Sequence, residues 1–225
     1  MQQSRVIIFG LGGVGSWCAE ALIRSGIGSI SLVDSDLVEP SNINRQAQAL
    51  NSTLGRPKTE ALAERLKDIN PLCKIEIFSR FFAKENAADF GITNADYVID
   101  AIDTLPHKID LIEASTNSGK KFFSSMGMAK RLDPTLVKTA DIWKTGGCPL
   151  ARIVRQELKK RNFSGNFTVV YSTERVHGLS ELPRNDNNGK KALGSAVPVT
   201  ATAGMVLASL VLRDVCSHFK AAASG

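Results

Sequence analysis

Short apolar runs separated by helical patterns dominate the first 125 residues of the chain. Five runs are predicted strands, at 6–9, 30–33, 75–78, 97–101 and 121–125, and the first has the composition of a strand buried on both faces. Three stretches between them place apolar residues at helical spacing, at 14–25, 58–69 and 106–117. Strands that alternate with helices of this length predict an α/β fold with a Rossmann-like, doubly wound, mostly parallel sheet.

The pattern loosens after residue 130 but still predicts elements. An edge strand, a basic amphipathic helix and a further strand are predicted at 136–140, 150–161 and 167–171. Residues 176–192 lack periodicity and are rich in Asn, Gly, Lys and Arg, which predicts a mobile loop. The apolar stretch 195–212 contains Pro198 and is followed by Arg213, which favours a buried helix over a membrane span. We therefore expect a C-terminal extension of extra strands and a buried helix.

Composition adds a mild basic excess and a cysteine pattern. The net charge of +6 fits a polyanionic partner such as RNA but does not require one. No signal-peptide pattern opens the chain, and no cysteines form a C-x-x-C pair. We therefore expect a cytoplasmic protein with reduced thiols and no zinc. The cysteines are Cys18, Cys73, Cys148 and Cys216.

A glycine-rich turn follows the first predicted strand and opens the first helix. Its glycines, which permit a tight turn and close approach of phosphate to the helix N-terminus, are Gly10, Gly12, Gly13 and Gly15. Asp34 ends the second strand, where a carboxylate binds a ribose hydroxyl in dinucleotide-binding folds. Taken alone, this constellation predicts a nucleotide and leaves NAD and ATP nearly equal.

The residues that come next favour ATP. Asp36, Asn42, Arg45 and Lys58 follow Asp34 within 25 residues. An Arg and a Lys suit a leaving pyrophosphate, which a dehydrogenase does not need to neutralise. Asp103, near the end of a later strand, is placed to hold Mg²⁺. Because no Gly-Lys-Ser/Thr sequence is present, a P-loop NTPase is excluded.

Four successive blocks resemble the signature blocks of the ubiquitin-activating superfamily of HesA, MoeB and ThiF proteins. The blocks are GLGGVGS, VDSDLVEPSNINRQ, GRPKTEALAERLKDINP and YVIDAIDT. The resemblance implies that Asp34 binds the ribose of ATP and that Asp103 carries magnesium. It also implies that Asn42, Arg45 and Lys58 contact the phosphates. It further implies a single ThiF-type adenylating domain over 1–225, with a nucleotide-binding half at 1–130 and a substrate and dimer half at 131–225.

The second half of the chain resembles one branch, the transfer-RNA threonylcarbamoyladenosine dehydratases. The blocks are DIWKTGGCPLARIVRQELKKR, VVYSTE and VPVTATAGMVLAS. This branch activates a threonine carboxylate on tRNA with ATP, and a carbamoyl group then closes a ring. The resemblance implies a homodimer and leaves open a monovalent cation and a sulfur-transfer partner protein. Two alternatives stay open: adenylation of the C-terminal glycine of a ubiquitin-like sulfur carrier, and an inactive nucleotide-binding scaffold.

Three further points concern single residues. Relatives generally carry an arginine ahead of the first strand that reaches the partner's ATP, whereas here Met1 lies four residues before Arg5. Another cation then takes this role, or that segment lies outside this sequence.

Cys148, in a Gly-rich stretch before a helix, is a candidate reactive thiol with a depressed pKa. Candidate tRNA contacts are Arg152, Arg155, Lys159, Lys160 and Arg161 on one helix, with Lys190 and Lys191 in the loop.

Overall fold

Seven strands form one sheet in the computed structural model, which describes residues 1–175 and 194–223, the last six of these by their backbone alone. The strands are β1 (Arg5–Phe9), β2 (Ser29–Val33), β3 (Lys74–Phe78), β4 (Tyr97–Asp100), β5 (Lys121–Ser125), β6 (Val137–Asp141) and β7 (Thr168–Ser172). Their order is β3-β2-β1-β4-β5-β7-β6. All neighbours are parallel except β6 and β7, which pair antiparallel. The predicted doubly wound, mostly parallel sheet is confirmed, with β6 as its antiparallel edge.

Over residues 1–175 and 194–223, five α-helices cover the two faces of the sheet. They are α1 (Gly15–Arg24), α2 (Lys58–Ile69), α3 (Leu105–Asn117), α4 (Pro149–Lys160) and α5 (Val197–Ala223). One apolar core lies under α1, α2 and α5, and a second lies under α3 and α4. β1 contributes to both cores, because successive side chains of a strand point to opposite faces, with Ile8 in the first and Phe9 in the second. This double burial explains why its sequence is continuously apolar.

The last helix packs closely against the first. A Cβ added to Gly204 would lie 2.5 Å from the carbonyl oxygen of Val14, so glycine lets the two helices approach. Ala203, Leu207 and Val211 are fully buried beneath α5. By length and composition alone, Val197–Ser217 could cross a membrane. Its packing against α1 and the sheet is instead that of a core helix, as predicted, and it runs 11 residues beyond the predicted end at residue 212.

The second half of the chain completes the sheet that the first half begins. β7 pairs with β5 in parallel, so the predicted halves at 1–130 and 131–225 share one sheet and one pair of cores. The segment 36–50, between β2 and α2, contains the short 3₁₀ turn Pro40–Asn42. The predicted mobile loop at 176–192 lies outside the described residues.

Candidate nucleotide-binding site

The glycine turn joins β1 to α1 at the carboxyl edge of the sheet. Gly10 has a φ of +89°, and a Cβ added to it would lie 2.6 Å from the carbonyl oxygen of Ala101. A Cβ added to Gly15 would lie 1.8 Å from the carbonyl oxygen of Gly10. Only glycine permits this positive φ and these approaches. The structure therefore contains the tight turn and the close packing of helix on strand that the sequence predicts.

Gly12 and Gly13 border the space that a phosphate would enter. A Cβ added to Gly12 would meet nothing within 4 Å, whereas one added to Gly13 would lie 3.1 Å from Arg45 Cγ. No acidic residue occupies the first turn of α1, so the positive end of its dipole is not neutralised locally. The turn has the geometry and the charge of a phosphate cradle.

Asp34, Asp36 and Lys58 form a compact charged group beyond β2. The Asp34 carboxylate accepts hydrogen bonds from the backbone amides of Leu11 at 2.7 Å and Asp36 at 2.8 Å. The ammonium of Lys58, the first residue of α2, donates to Asp36 Oδ2 at 2.7 Å. Burial raises the pKa of Asp34, and the nearby Lys58 offsets part of that rise. Asp34 thus ties the glycine turn to the end of β2, and its contact with a ribose stays a prediction.

Arg45 lies beside the glycine turn and close to Asp103. Its Nη1 donates to the carbonyl oxygen of Ser41 at 2.8 Å and to Asn44 Oδ1 at 2.9 Å. Burial lowers the pKa of the Arg45 guanidinium, and the negative charge of Asp103 partly offsets that shift. The fold therefore brings together Arg45, Asp103 and the glycine turn, which are far apart in sequence.

Asn42 makes its side-chain hydrogen bonds within its own turn, and its contact with a phosphate stays a prediction. Its side chain is buried, its Oδ1 accepts from the amide of Glu39 at 3.1 Å, and its Nδ2 donates to Ser41 Oγ at 3.3 Å. These bonds close the turn that presents Arg45. The geometry favours a positioning role for Asn42, because its amide is already used within that turn.

Asp103 is exposed on the loop that follows β4, above a fully buried ion pair. Lys108 Nζ lies 2.8 Å from Asp100 Oδ2, and both side chains are 0% exposed. Ser124 Oγ donates to the same carboxylate at 2.6 Å. Lys108 Nζ also donates to the carbonyl oxygen of Ile102 at 2.7 Å. The loop that carries Asp103 is therefore held at the residue next to it.

The surroundings of Asp103 suit Mg²⁺ better than a metal held by protein ligands alone. Within the described residues, one long hydrogen bond, 3.4 Å from Thr104 Oγ1, reaches its carboxylate. No three or more His, Cys, Asp or Glu residues converge on one point in the described part of the chain. Mg²⁺ commonly takes one or two carboxylates and completes its shell with phosphate oxygens and water. An exposed carboxylate next to a phosphate cradle fits that pattern.

The candidate tRNA residues on α4 differ in their environment. Arg152 and Lys159 are exposed, and Lys160 is exposed but pairs with Glu157 at 2.6 Å. Arg155 instead donates to the hydroxyl of Thr145 and so braces the turn before α4, and its contact with tRNA stays a prediction. Arg161 follows α4 and pairs with Asp110 and Glu113 of α3. Lys190 and Lys191 lie outside the described residues.

Cys148 precedes the first residue of α4, as predicted for a thiol at a helix N-terminus. Its residue is only 4% exposed and belongs to the core under α3 and α4. Burial in an apolar core is typical of a structural cysteine and not of a reactive one. The candidate thiol is therefore buried in this conformation, and its reactivity stays a prediction.

Three side chains that support the site were not predicted from the sequence. Gln48 is buried and its Nε2 donates to the carbonyl oxygen of Leu11 at 2.8 Å. Trp17 Nε1 donates to the carbonyl oxygen of Arg45 at 2.9 Å. Thr200 of α5 lies 3.1 Å from where a Cβ on Gly13 would be. Periodicity assigns Trp17 to the apolar side of α1, and only the fold shows that its polar edge faces the Arg45 turn.

A large groove on the described surface lies elsewhere. It is lined by Arg5, Ser29, Lys74 and neighbours, at the amino ends of β1, β2 and β3. The predicted site residues are not part of its lining. Ligands of open parallel sheets bind at the carboxyl ends of the strands, so the position of the glycine turn decides in favour of that edge.

Comparison with known proteins assigns the chain. A model of the ThiF family matches residues 1–223. The chain belongs to the ThiF family. This ThiF-family protein is 38% identical over 223 residues to a tRNA threonylcarbamoyladenosine dehydratase of Bacillus subtilis. That alignment covers 96% of this chain and 88% of the Bacillus subtilis protein. It is 36% identical over 244 residues to the tRNA threonylcarbamoyladenosine dehydratase of Escherichia coli, with 99% and 89% covered.

A solved relative agrees with these matches. The structure of the Escherichia coli tRNA N6-threonylcarbamoyladenosine dehydratase, TcdA, in complex with ATP superimposes with a TM-score of 0.88 at 35% identity. The match covers 100% of this chain and 89% of that one. An adenylyltransferase and sulfurtransferase of Candida glabrata matches over only 63% of this ThiF-family chain, at 31% identity. The resemblance that the motifs predict is confirmed, and so is the fold.

Proposed function

We propose that this ThiF-family protein is an ATP-dependent enzyme that dehydrates, and so cyclises, threonylcarbamoyladenosine in tRNA. The observation that carries the proposal is the match over the whole chain to dehydratases, one of them solved with ATP. The geometry supports it, because a phosphate cradle, two cations and a carboxylate meet at one edge of the sheet. The match to the dehydratases also includes α4 and α5, beyond the nucleotide half.

The two chemical steps need activation and then proximity. The threonine carboxylate displaces pyrophosphate from ATP and becomes an acyl adenylate, and the carbamoyl group of the same substituent attacks that acyl carbon and releases AMP. The oxygen lost from the carboxylate leaves with AMP, so the net change is the loss of one water. Because attacking group and electrophile belong to one substituent, ring closure is intramolecular and gains from proximity.

Each charged residue then has a distinct task. The amides of the glycine turn and the dipole of α1 bind phosphate oxygens. Arg45 and Lys58 neutralise the charge that develops on pyrophosphate as it leaves, a role that suits cations fixed before the reaction. Lys58 pairs with Asp36 and Arg45 lies near Asp103, so both are already oriented. Asp34 binds the ribose, and Asn42 positions the turn that carries Arg45.

Asp103 is the residue that would hold Mg²⁺. The ion would supply charge neutralisation at the phosphates, which a single carboxylate and the nucleotide can bind between them. The Asp100–Lys108 pair keeps the loop of Asp103 in place from below. Cys148 has no step in this scheme, which agrees with its burial.

Partners follow from two surfaces. The exposed Arg152, Lys159 and Lys160 of α4 would contact tRNA phosphates. Two apolar side chains on the outer side of α5, Val197 and Met205, are 37% and 44% exposed and suit the interface of a homodimer. A single adenylating domain, cytoplasmic location, a sulfur-transfer partner and a monovalent cation belong to the same proposal and await their own tests.

One assay tests the proposal. The protein is incubated with ATP, Mg²⁺ and tRNA that carries threonylcarbamoyladenosine. The tRNA is then digested, and the masses of its nucleosides are measured by mass spectrometry. We expect the loss of the mass of one water from that nucleoside, together with formation of AMP and pyrophosphate. Adenylation of a carrier protein's Gly-Gly terminus without change in the nucleoside would instead support the sulfur-carrier alternative. Inactivity towards both would support the scaffold alternative.

A further inference from the structure

Arg131 is a buried cation that has no counter-ion among the described residues. The residue is 2% exposed, and its Nη1 donates to the carbonyl oxygen of Gly127. Its Nε and Nη2 are both buried and have no acceptor within the described part of the chain. No carboxylate of a described residue lies within ion-pair distance of it. A buried charge left unpaired destabilises the folded state, so such a group points to a ligand that completes it.

The two unsatisfied nitrogens form one edge of the guanidinium. Nε–H and Nη2–H point the same way and can grip both oxygens of a carboxylate at once. Arg65 uses this same edge within the molecule, where Nε and Nη2 donate to the two oxygens of Glu20 at 2.7 and 3.3 Å. Arg131 therefore presents the donor pair that Arg65 uses for a carboxylate, but without the carboxylate.

The acidic side chain of Glu174, which contacts the residues after Arg131, is used for another purpose. The Glu174 carboxylate accepts hydrogen bonds from the backbone amides of Leu132 and Asp133 at 3.0 and 3.1 Å. It thus anchors the chain that follows Arg131 and leaves the guanidinium edge free. The position of Arg131 is fixed on both sides, because the amide of the preceding residue, Lys130, donates to the carbonyl oxygen of Gly194 at 2.8 Å.

A short series of hydrogen bonds links Arg131 to the phosphate side of the site. Asn44 Oδ1 accepts from Arg45, and Asn44 Nδ2 donates to the carbonyl oxygen of Ser195 at 2.9 Å. Ser195 follows Gly194, the residue bonded to Lys130. Arg131 also lies after β5, which neighbours the strand β4 that leads to Asp103. It belongs to the same carboxyl edge as Arg45, on the side away from Lys58 and β2.

We propose that the Nε–Nη2 edge of Arg131 binds the carboxylate of the group that this enzyme adenylates. The inference rests on the proposed function and adds a residue for the acceptor, whereas Arg45 and Lys58 serve the nucleotide. The ligand class is a carboxylate on a slender substituent. A backbone phosphate of RNA is tied to two nucleotides and is poorly suited to a side chain that is 2% exposed. The carboxylate must displace the groups that cover the guanidinium.

The test compares two RNAs on one protein. Dissociation constants are measured without ATP for tRNA that carries threonylcarbamoyladenosine and for the same tRNA with plain adenosine. We expect the wild-type protein to prefer the modified tRNA by about 10- to 100-fold, as for hydrogen bonds to a charged group. In Arg131→Met this preference falls to within about 3-fold, while affinity for the plain tRNA stays unchanged. Arg131→Lys keeps the charge but not the paired donors, so its preference for the modified tRNA should lie between those of the wild-type protein and Arg131→Met.

Each other outcome overturns the inference in a recognisable way. If Arg131→Met keeps the preference, the carboxylate binds elsewhere. If both tRNAs lose affinity by the same factor, Arg131 contacts a phosphate. If the wild-type protein neither prefers the modified tRNA nor dehydrates it, the proposed function fails first and the inference with it.

Two controls separate binding from folding. Lys130→Met removes the adjacent positive charge and is expected to keep the preference. Arg131→Met removes an unpaired buried charge, so its Tm without ligand should equal or exceed that of the wild-type protein. A lower Tm with an unchanged preference for the modified tRNA would show that Arg131 only stabilises the fold through its hydrogen bond to Gly127.

Discussion

The interior of the sheet and its carboxyl edge treat charge in opposite ways. Inside, Asp100 meets Lys108 and Glu20 meets Arg65 and Arg24, so each buried charge has a partner supplied by the chain. At the edge, Arg131 has no counter-ion within the described residues, and the exposed Asp103 carries only one long hydrogen bond there. Arg45 bonds a backbone carbonyl and an amide oxygen, which leaves its charge uncompensated by direct contact.

This difference separates charges that hold the fold from charges that await a ligand. An ion pair within the protein stabilises only the conformation in which both residues are in contact. Removal of one residue leaves the other charge buried without a partner. A charge without a partner in the protein contributes little to the stability of the fold. It remains able to bind the phosphates or the carboxylate of a substrate. The comparison predicts that mutations inside the sheet reduce stability, whereas mutations at the edge reduce activity.

The largest effect is expected from Lys108→Met. Removal of the ammonium leaves Asp100 buried without a counter-charge, which should cost about 3–5 kcal/mol in the free energy of unfolding. Urea denaturation at neutral pH measures it. The control is Lys121→Met, because Lys121 is 58% exposed and its pair with Asp214 should be worth less than about 1 kcal/mol. Equal losses in the two variants would contradict a structural role for the buried pair.

Asp103→Asn should reduce activity and leave stability nearly unchanged. We expect a fall of about 100-fold or more in the rate of dehydration, as for the loss of one group that stabilises charge in the transition state. The free energy of unfolding should change by less than about 1 kcal/mol, because the side chain is exposed. Higher Mg²⁺ should restore part of the rate. Asp89→Asn, an exposed acid paired with Arg80, is the matched control and should keep full activity.

A smaller effect is expected on α4. Arg152→Gln combined with Lys159→Gln should lower the slope of log affinity for tRNA against log salt by about 1 to 2, because each substitution leaves one RNA phosphate without its cation. The control combines Lys74→Gln and Lys121→Gln, which lie at the amino ends of β3 and β5, away from the site. A slope that changes equally in both double variants would mean that only the net charge matters.

The smallest effect concerns the pH dependence of stability. Burial raises the pKa of Glu20, but hydrogen bonds from Arg65 and Arg24 outweigh it and hold the pKa below its usual value of 4.5. A carboxyl with a depressed pKa stabilises the folded state above its usual pKa, and this contribution is lost as the pH falls below that value. Glu20→Gln should therefore lower Tm at neutral pH and lower it less at about pH 3.

The control for Glu20 is Glu64→Gln, at the more exposed pair with Arg56. We expect it to change Tm less than Glu20→Gln at neutral pH. A difference between Glu20→Gln and the wild-type protein that stays constant from neutral to acid pH would show that packing, and not charge, explains the effect.

Local pattern predicted most of the elements correctly. The bounds of α2 and β5 agree with the prediction to the residue, and β6 is the edge strand expected. Runs buried on both faces and helices with one apolar side are properties of neighbouring residues, so periodicity suffices to identify them. The glycine turn was predictable for a similar reason, because its spacing and its place between strand and helix are local.

The fates of individual polar side chains were less predictable. Arg155 and Arg152 look alike in the sequence, yet one braces Thr145 and the other faces solvent. Cys148 occupies the predicted helix terminus but is buried in a core. Asn42 bonds within its own turn. These outcomes depend on which surfaces other elements cover, and a linear pattern does not contain that information.

The sequence by itself determined the doubly wound sheet, the phosphate cradle and the residues that surround it, because strand and helix periodicity and glycine spacing act over a few neighbouring positions. Tertiary structure alone decided which charges pair within the protein and which face the site. Asp100 and Asp103 are three residues apart, but one is buried against Lys108 and the other faces the site. Arg131 stands out only because the fold excludes solvent from it while no described residue supplies an anion, and burial of that kind is a property of the whole fold.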